Sequence, residues 1–497
     1  MSRFASAALP ACLALICALA LSACPALAST STHHKRKPPT HRVGGRVHEA
    51  WPRTGRKSPR SALARWLARQ VGPAEVRPCT EHVNGKVVKC RRKRAPRSGA
   101  PLSGGQPGGS KAHATSARAP EGISEDMHPI AYAASGPSST PTGSTGTSNL
   151  QLVRSYSIPT DDPSYARLLN LSWTYDSAVT AAAFTAFGAT SEAQQLLDQL
   201  TALQHTDGSI ELAFNVSDGT TEAIFRSGTI ATVGLAGSLY DQRVKTNRYL
   251  SMEERAASYL ISLQGASGLV RGGPDVAWYS TQHNLLAYAF LTQLGNELVG
   301  DGQRSTANTY FTAADKISSG LESKLLVQGG SQAWFIEGLG DNVQSLDADA
   351  LGVLYLASKN ETTNAQKVLA YTNRTFAVSG RSIAKSTSAD TYNNTYAAAG
   401  PFWGFKPFAG TGAPNVMWTE GFAEMVLADL AGGQSSVALN TSLPAIAALT
   451  PTSGPLMADR TVTSPTFSAE FHVWPSAAAG AWLMLATAHP TLFPSQS

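Results

Sequence analysis

The sequence predicts an all-α fold, six helical hairpins closed into an (α/α)6 toroid, preceded by a disordered basic and low-complexity N-terminal region. Three observations carry this expectation. From about Tyr156 apolar residues recur at helical spacing, and helix follows helix. The helices alternate between Ala-rich segments apolar on every face, which protein must bury, and amphipathic segments, which are half-buried; that alternation implies two concentric layers. The starts of the apolar segments, Asp176, Gly228, His283, Asp347, Glu420 and Ser476, lie roughly 50–75 residues apart, an irregular period that marks repeated helical hairpins.

Taken in order, residues 1–28 read as an export signal. Arg3 supplies a thin positive start, and Ala7 to Leu21 is apolar but short for a membrane span. Two processing sites overlap: Leu21-Ser22-Ala23-Cys24 has the form of a bacterial lipobox, in which Cys24 is lipidated, and Ala26-Leu27-Ala28 is a site for cleavage after Ala28. The first leaves a cell-surface lipoprotein, the second a secreted protein. No twin Arg precedes the apolar run.

Residues 29–155 read as a basic and low-complexity linker. Residues 33–97 hold 19 Lys/Arg against 3 Asp/Glu, so the net charge of +6 conceals an acidic remainder. An arm of this charge suits a solvated tether, or a contact with nucleic acid, anionic lipid or an acidic envelope polymer; no nucleic acid is expected at the toroid domain. Within the linker, Ser61 to Val71 has the spacing of a short amphipathic helix through Leu63, Trp66 and Leu67. Asn84-Gly85 is a two-residue hairpin signal between Cys79 and Cys90. In an oxidising compartment these two Cys close the hairpin as a disulfide. Residues 95–150 contain too few large apolar residues to offset the entropy of ordering.

Residues 156–497 form the toroid domain. Its inner helices are expected at Asp176 to Phe187, Gly228 to Leu239, His283 to Leu294, Asp347 to Ala357, Glu420 to Leu430 and Ser476 to Ala488. Its outer helices are expected at Glu192 to Gln204, Met252 to Gln264, Thr306 to Leu326, Asn364 to Phe376 and, more weakly, Ser435 to Leu449. Gln204 before Asp207-Gly208 and Gln264 before Gly268 repeat one turn. Parallel inner helices bring their N-terminal ends to one mouth, where free N–H groups suit carboxylates and hydroxyls. Trp173, Trp278, Trp334, Trp403, Trp418 and Trp474 lie near those ends. Exposed there, they are platforms for sugar rings; buried, they plug the mouth as core.

Several of these motifs resemble the six-hairpin glycosidase superfamily. They are Trp173-Thr174-Tyr175-Asp176-Ser177-Ala178, Gln204-His205-Thr206-Asp207-Gly208, Gly272-Gly273-Pro274 with Trp278-Tyr279-Ser280-Thr281-Gln282-His283-Asn284, Leu346-Asp347, and Trp418-Thr419-Glu420-Gly421. The resemblance spans residues 160–495 and implies a toroid acting on a poly- or oligosaccharide, by hydrolysis or, in some members, by elimination. Glycoside hydrolysis uses two carboxyl groups, one protonating the leaving oxygen and one activating water or attacking the sugar. The candidates are Asp176 as base, Glu420 as acid, and Asp347; all three also suit the first turn of a helix for purely structural reasons.

Trp173, Tyr175, Trp278, His283, Asn284, Trp334, Trp403, Trp418 and Trp474 are the substrate-binding candidates. His283 and Asn284 alternatively tie down the start of a helix. Asp349 and Glu424 fall inside helices as supporting residues, and Asp275 and Glu337 lie in loops within reach of a ligand. The loop 377–417, with Phe402-Trp403-Gly404-Phe405, reads as a lid. Position 282 is Gln where Glu would supply another acid, which keeps a non-catalytic glycan-binding protein in view. No metal-ligand, nucleotide-binding or Ser-nucleophile motif is present, so no cofactor or metal is expected.

Overall fold

The computed structural model describes residues 59–74, 80–83, 86–89, 143–160, 162, 164–341, 343–382, 401–447, 450, 454–464, 467 and 469–496. All of them belong to one unit, Thr54–Ser497. Cys24, Cys79 and Cys90 fall outside the described residues. The strands between the last two, Thr80–Val83 and Lys86–Lys89, pair antiparallel with Thr80 opposite Lys89.

The ring helices are α1 (Pro59–Ala68), α2 (Thr174–Phe187), α3 (Thr190–Leu203), α4 (Ser227–Val244), α5 (Leu250–Ser262), α6 (Thr281–Gly300), α7 (Arg304–Gly320), α8 (Leu346–Ser358), α9 (Thr362–Phe376), α10 (Thr419–Ala431), α11 (Ser435–Val437, Ala438–Ser442 and Leu443–Ala447, the middle piece a π-turn) and α12 (Ala477–Ala488). The even-numbered helices form the inner layer. Each packs on the next, and α12 packs on α2, so the ring is closed. Their residues are buried on all faces, as the uniform apolar composition required. The odd-numbered helices bury one stripe each: Leu196, Leu197 and Leu200 on α3, Ala256, Ala257 and Leu260 on α5. No helix among the described residues is long and apolar enough to cross a membrane.

The sixth outer helix is α1, which packs on α12. Leu63, Trp66 and Leu67 enter the common core, and Gly480 of α12 leaves room for them; a Cβ there would sit 3.1 Å from a Leu67 methyl and 3.2 Å from the Trp66 ring. The ring thus draws on residues well before Tyr156. The amphipathic spacing of residues 61–71 was visible; its partner more than 400 residues away was not.

At the N-terminal end of the inner helices a backbone belt joins the hairpins. The first N–H of each inner helix donates to a carbonyl in the segment leading to the next: Thr174 to Leu212, Ser227 to Gly272, Thr281 to Glu337, Leu346 to Pro407, Thr419 to Met457 and Ala477 to Ser155, all at 2.8–3.0 Å. These are N–H groups that a helix cannot satisfy itself. Neighbouring hairpins supply the acceptors for these first N–H groups; the cap positions are Trp173, Ser345 and Trp418, and Asp347 Oδ1 accepts the following Ala348 N–H at 2.9 Å. A four-stranded antiparallel sheet reinforces the belt ahead of α2 and α4, with Leu171–Trp173, Ala213–Asn215, Thr220–Glu222 and Gly143–Ser144 in that order.

The outer layer has its own repeat. Gln204 Nε2 donates to the Gly208 and Met252 carbonyls at 3.2 and 3.1 Å; Gln264 Nε2 donates to those of Gly268 and Ala313 at 2.7 and 3.0 Å. Each Gln therefore closes its own turn and staples it to the next outer helix.

Candidate active site

Repeat geometry aligns the second residue of each inner helix: Tyr175, Gly228, Gln282, Asp347, Glu420 and Ala478. Asp176 and His283 are third residues. Asp176, Asp347 and Glu420 thus lie at the same end of the ring, on helices that close on one another.

Tyr175 bridges two sides of this end. Its hydroxyl donates to Glu420 Oε1 at 3.0 Å and accepts from Trp482 Nε1 at 2.8 Å. With its donor supplied by α12, the phenol proton is directed at Glu420, and such a bond favours a carboxylate there. Burial, then the Glu420 and Glu424 carboxyls, push the Tyr175 pKa well up, so it stays a donor.

Asp176 differs. Burial and then the charge of Glu420 hold its pKa well above the ordinary carboxyl range, against a smaller opposing contribution from the Ser155 hydroxyl. An Asp that keeps its proton is not a ready base, so this environment does not favour the sequence-based role of Asp176 as base. Both Asp176 oxygens are also sealed from solvent, and the residue is 1% exposed.

A second group of acids continues round the ring. Glu424 is one turn below Glu420; burial, then Asp347 and Glu420, raise its pKa well above normal. Glu337, in the belt segment that receives the Thr281 N–H, is raised by burial, then by Asp347 and Asp341. Electrostatic coupling therefore runs from Asp176 through Glu420, Glu424 and Asp347 to Glu337. Glu420 and Glu337 retain 6% and 7% exposure against 2% for Asp347 and none for Glu424, which makes them the members best able to meet a ligand.

Other candidates serve the scaffold. Asn284 is saturated: Oδ1 accepts from the Val270 N–H at 2.7 Å, and Nδ2 donates to the Val270 and Ser280 carbonyls at 3.0 and 2.8 Å. It is fully buried, so its second Oδ1 lone pair is closed to a sugar. Asp349, also the fourth residue of its helix, holds the Phe335 N–H at 2.7 Å in the same way, and Ser177 of α2 holds that of Val153 at 3.0 Å. His283 is fully buried, with Nδ1 2.9 Å from Ser227 Oγ and its ring edge-on to Trp278 at 5.4 Å. Trp278 in turn lies under the Arg226 guanidinium, which pairs with Asp275 at 2.7 Å.

The indoles are mostly core rather than platforms. Trp173, Trp418 and Trp474 are buried. Trp334 stacks on Tyr371 of outer helix α9, and Trp403 packs on Phe405 and Phe422. Pairing of Ala377–Arg381 with Phe402–Phe405 anchors the described parts of the expected lid to the ring; residues 383–400 lie outside the described residues. A polar group missed from sequence adjoins Trp474: His472 stacks on that indole at 3.6 Å and its Nε2 lies 2.7 Å from Glu470 Oε1. The alternation Glu470, His472, Trp474 was the available signal, because residues two apart share a strand face.

Among solved structures, several glycosidases are similar to this chain. A glycosidase variant in complex with glucose aligns with a TM-score of 0.51 at 14% identity, covering 75% of this chain and 98% of that one. A second glycosidase variant aligns at 0.50 with the same identity and coverage. The chain shares the (α/α)6 toroid fold with these two structures. A bacterial glucoamylase complexed with acarbose is also similar, at a TM-score of 0.49 and 16% identity over 66% of this chain and 50% of that chain. No protein-family description and no curated protein matches the sequence.

Proposed function

We propose that this six-hairpin toroid is an exported glycoside hydrolase acting on a poly- or oligosaccharide at the belt end of the ring. Glu420 serves as the carboxylate that activates water or attacks the sugar, and Glu337 as the proton donor. The observation that carries the reading is the pairing of unlike environments at one mouth. Glu420 receives the Tyr175 phenol proton, whereas Glu337, surrounded by Asp347 and Asp341, is driven to keep its own. Two carboxyls in such unlike hydrogen-bonding and charge surroundings are what acid and base roles require. Asp176, sealed behind Glu420, acts as a positioning residue.

A polysaccharide panel with mass analysis of products tests the reaction. Hydrolysis releases reducing ends, and Glu420→Gln or Glu337→Gln lowers kcat/KM by about 100-fold or more, the usual contribution of a general acid or base. Release of an unsaturated product instead identifies a lyase, which the acid-rich mouth disfavours because such enzymes take acidic sugars. The second reading, a non-catalytic glycan binder, rests on Gln282, whose buried Nε2 occupies the ring position that carries acids in α8 and α10. Glycan binding with no turnover on any substrate supports it. Export through residues 1–28 is tested by the mass of the mature N-terminus, which distinguishes an acylated Cys24 from cleavage after Ala28.

A further inference from the structure

A second set of acids lies at the other end of the inner helices. Asp241 is in the last turn of α4, Glu297 in the last turn of α6, and Glu253 in the first turn of α5. One carboxylate oxygen from each lies within 4.8 Å of the others, and the three residues are 1%, 9% and 0% exposed.

Part of this cluster is satisfied by the protein. Asp241 Oδ2 accepts the Tyr249 N–H at 2.7 Å, and Glu253 Oε2 accepts from Ser238 Oγ at 2.8 Å. The remaining oxygens, Asp241 Oδ1, Glu253 Oε1 and both of Glu297, are buried and have no hydrogen-bond partner among the described residues. Glu297 is thus nine-tenths buried, without an N–H donor of its own, and directed at two other carboxylates. The nearest cation acting on Asp241, Arg248, is engaged at the surface with Asp198 at 2.9 Å.

Two further features set these acids against ordinary stability. Asp241 and Glu297 sit at helix C-termini, where the helix dipole already places negative charge and disfavours acids. Gly237 of α4 makes room for the third: a Cβ there would lie 2.8 Å from Glu253 Oε1. The backbone is shaped to admit a carboxylate where repulsion opposes it.

We propose that Asp241, Glu253 and Glu297 bind a hard divalent cation, calcium foremost, which clamps the ends of α4, α5 and α6 on the face of the toroid opposite the belt. The donor set is oxygen only, which suits calcium, magnesium or manganese over softer metals. Oxygens of one calcium shell, each about 2.3–2.6 Å from the ion, are separated by up to about 5 Å, a span the cluster meets. The cation's positive charge relieves both the mutual repulsion and the helix-end penalty. The role is structural and independent of the reaction proposed at the mouth.

The test uses the full chain stripped with EDTA and dialysed. Calcium chloride is expected to raise Tm by several degrees in a saturable manner, with one calcium retained per chain by elemental analysis; magnesium chloride is the comparison. Glu297→Gln and Glu253→Gln remove charge without changing shape. Both are expected to fold, to melt higher than the wild type in EDTA, and to bind calcium at least tenfold more weakly. Should one fail to fold, Asp241→Asn gives the same readings. An unchanged Tm with no retained metal overturns the proposal. So does a calcium response of equal size in the Gln variants, which would place the ion elsewhere; carboxyls that merely share protons give the first of these results.

Discussion

At Asp349 a single hydroxyl proton faces two acceptors. Thr372 Oγ1 lies 3.0 Å from Asp349 Oδ2 and 2.8 Å from the Val368 carbonyl, and it can donate to only one of them. A protonated Asp349 resolves this: it donates to Thr372, which donates to Val368, while Oδ1 still accepts the Phe335 N–H. Burial pushes the Asp349 pKa up to about 8, in agreement. The folded-state pKa is raised above the unfolded value near 4, so the group's stabilisation is complete below about pH 4 and is lost as pH rises toward 8. Asp349→Asn offers the same donor and acceptor with nothing to ionise. Its Tm should match the wild type at pH 4 and exceed it at pH 8.5, by a free energy on the order of a few kcal/mol. Equal Tm differences at both pH values would show that Asp349 is ionised in the folded protein.

Among elements, the Gln-ended turns were legible as a repeat before their purpose was. Gln204 and Gln264 recur with a following Gly, yet only the fold shows each reaching the next outer helix. Gly268 adopts φ 84°, and a Cβ there would collide with the Lys316 carbonyl; Gly302 adopts φ 77° with open space around it. Gly268→Ala combines the left-handed penalty with overpacking, about 2–4 kcal/mol together, whereas Gly302→Ala bears only the first, about 1–2 kcal/mol. Chemical denaturation of the two variants should preserve that order, and equal losses would remove the steric half of the argument. The inner helices were readable for a different reason: nothing but burial accounts for a segment such as Ala477–Ala488, apolar on all faces. The mouth was half readable. Asp176, Asp347 and Glu420 stand out as polar residues opening apolar helices. Glu337 stood out only as a loop residue in reach of a ligand, with no period to mark a role in catalysis, and Asp241, Glu253 and Glu297 are separate positions on three helices that only packing unites.

For the whole molecule the closing contact is the part that sequence reading could least supply. A ring of six hairpins needs twelve helices, and the stretch after Tyr156 offers eleven. The twelfth, α1, comes from a region whose composition announces a tether. Its tail is stitched to the chain that opens the toroid: the Gly72 N–H donates to the Leu152 carbonyl and the Arg154 N–H to that of Gln70, both at 2.9 Å. Trp66 also covers Gly454, where a Cβ would collide with the indole. A chain beginning at Thr54 keeps this helix; one beginning at Gly143 exposes the α12 groove. The apolar burial lost with Leu63, Trp66 and Leu67 is about 1.5–3 kcal/mol each, an upper bound that still rivals the net stability of many domains. The shorter chain should melt well below the longer one and bind a hydrophobic dye, and a synthetic peptide of residues 59–72 added in excess should recover part of the difference. Trp66→Ala in the longer chain should give an intermediate Tm. If both chains melt together and the peptide has no effect, the ring is held closed by its eleven other helices, and α1 merely rests on its surface.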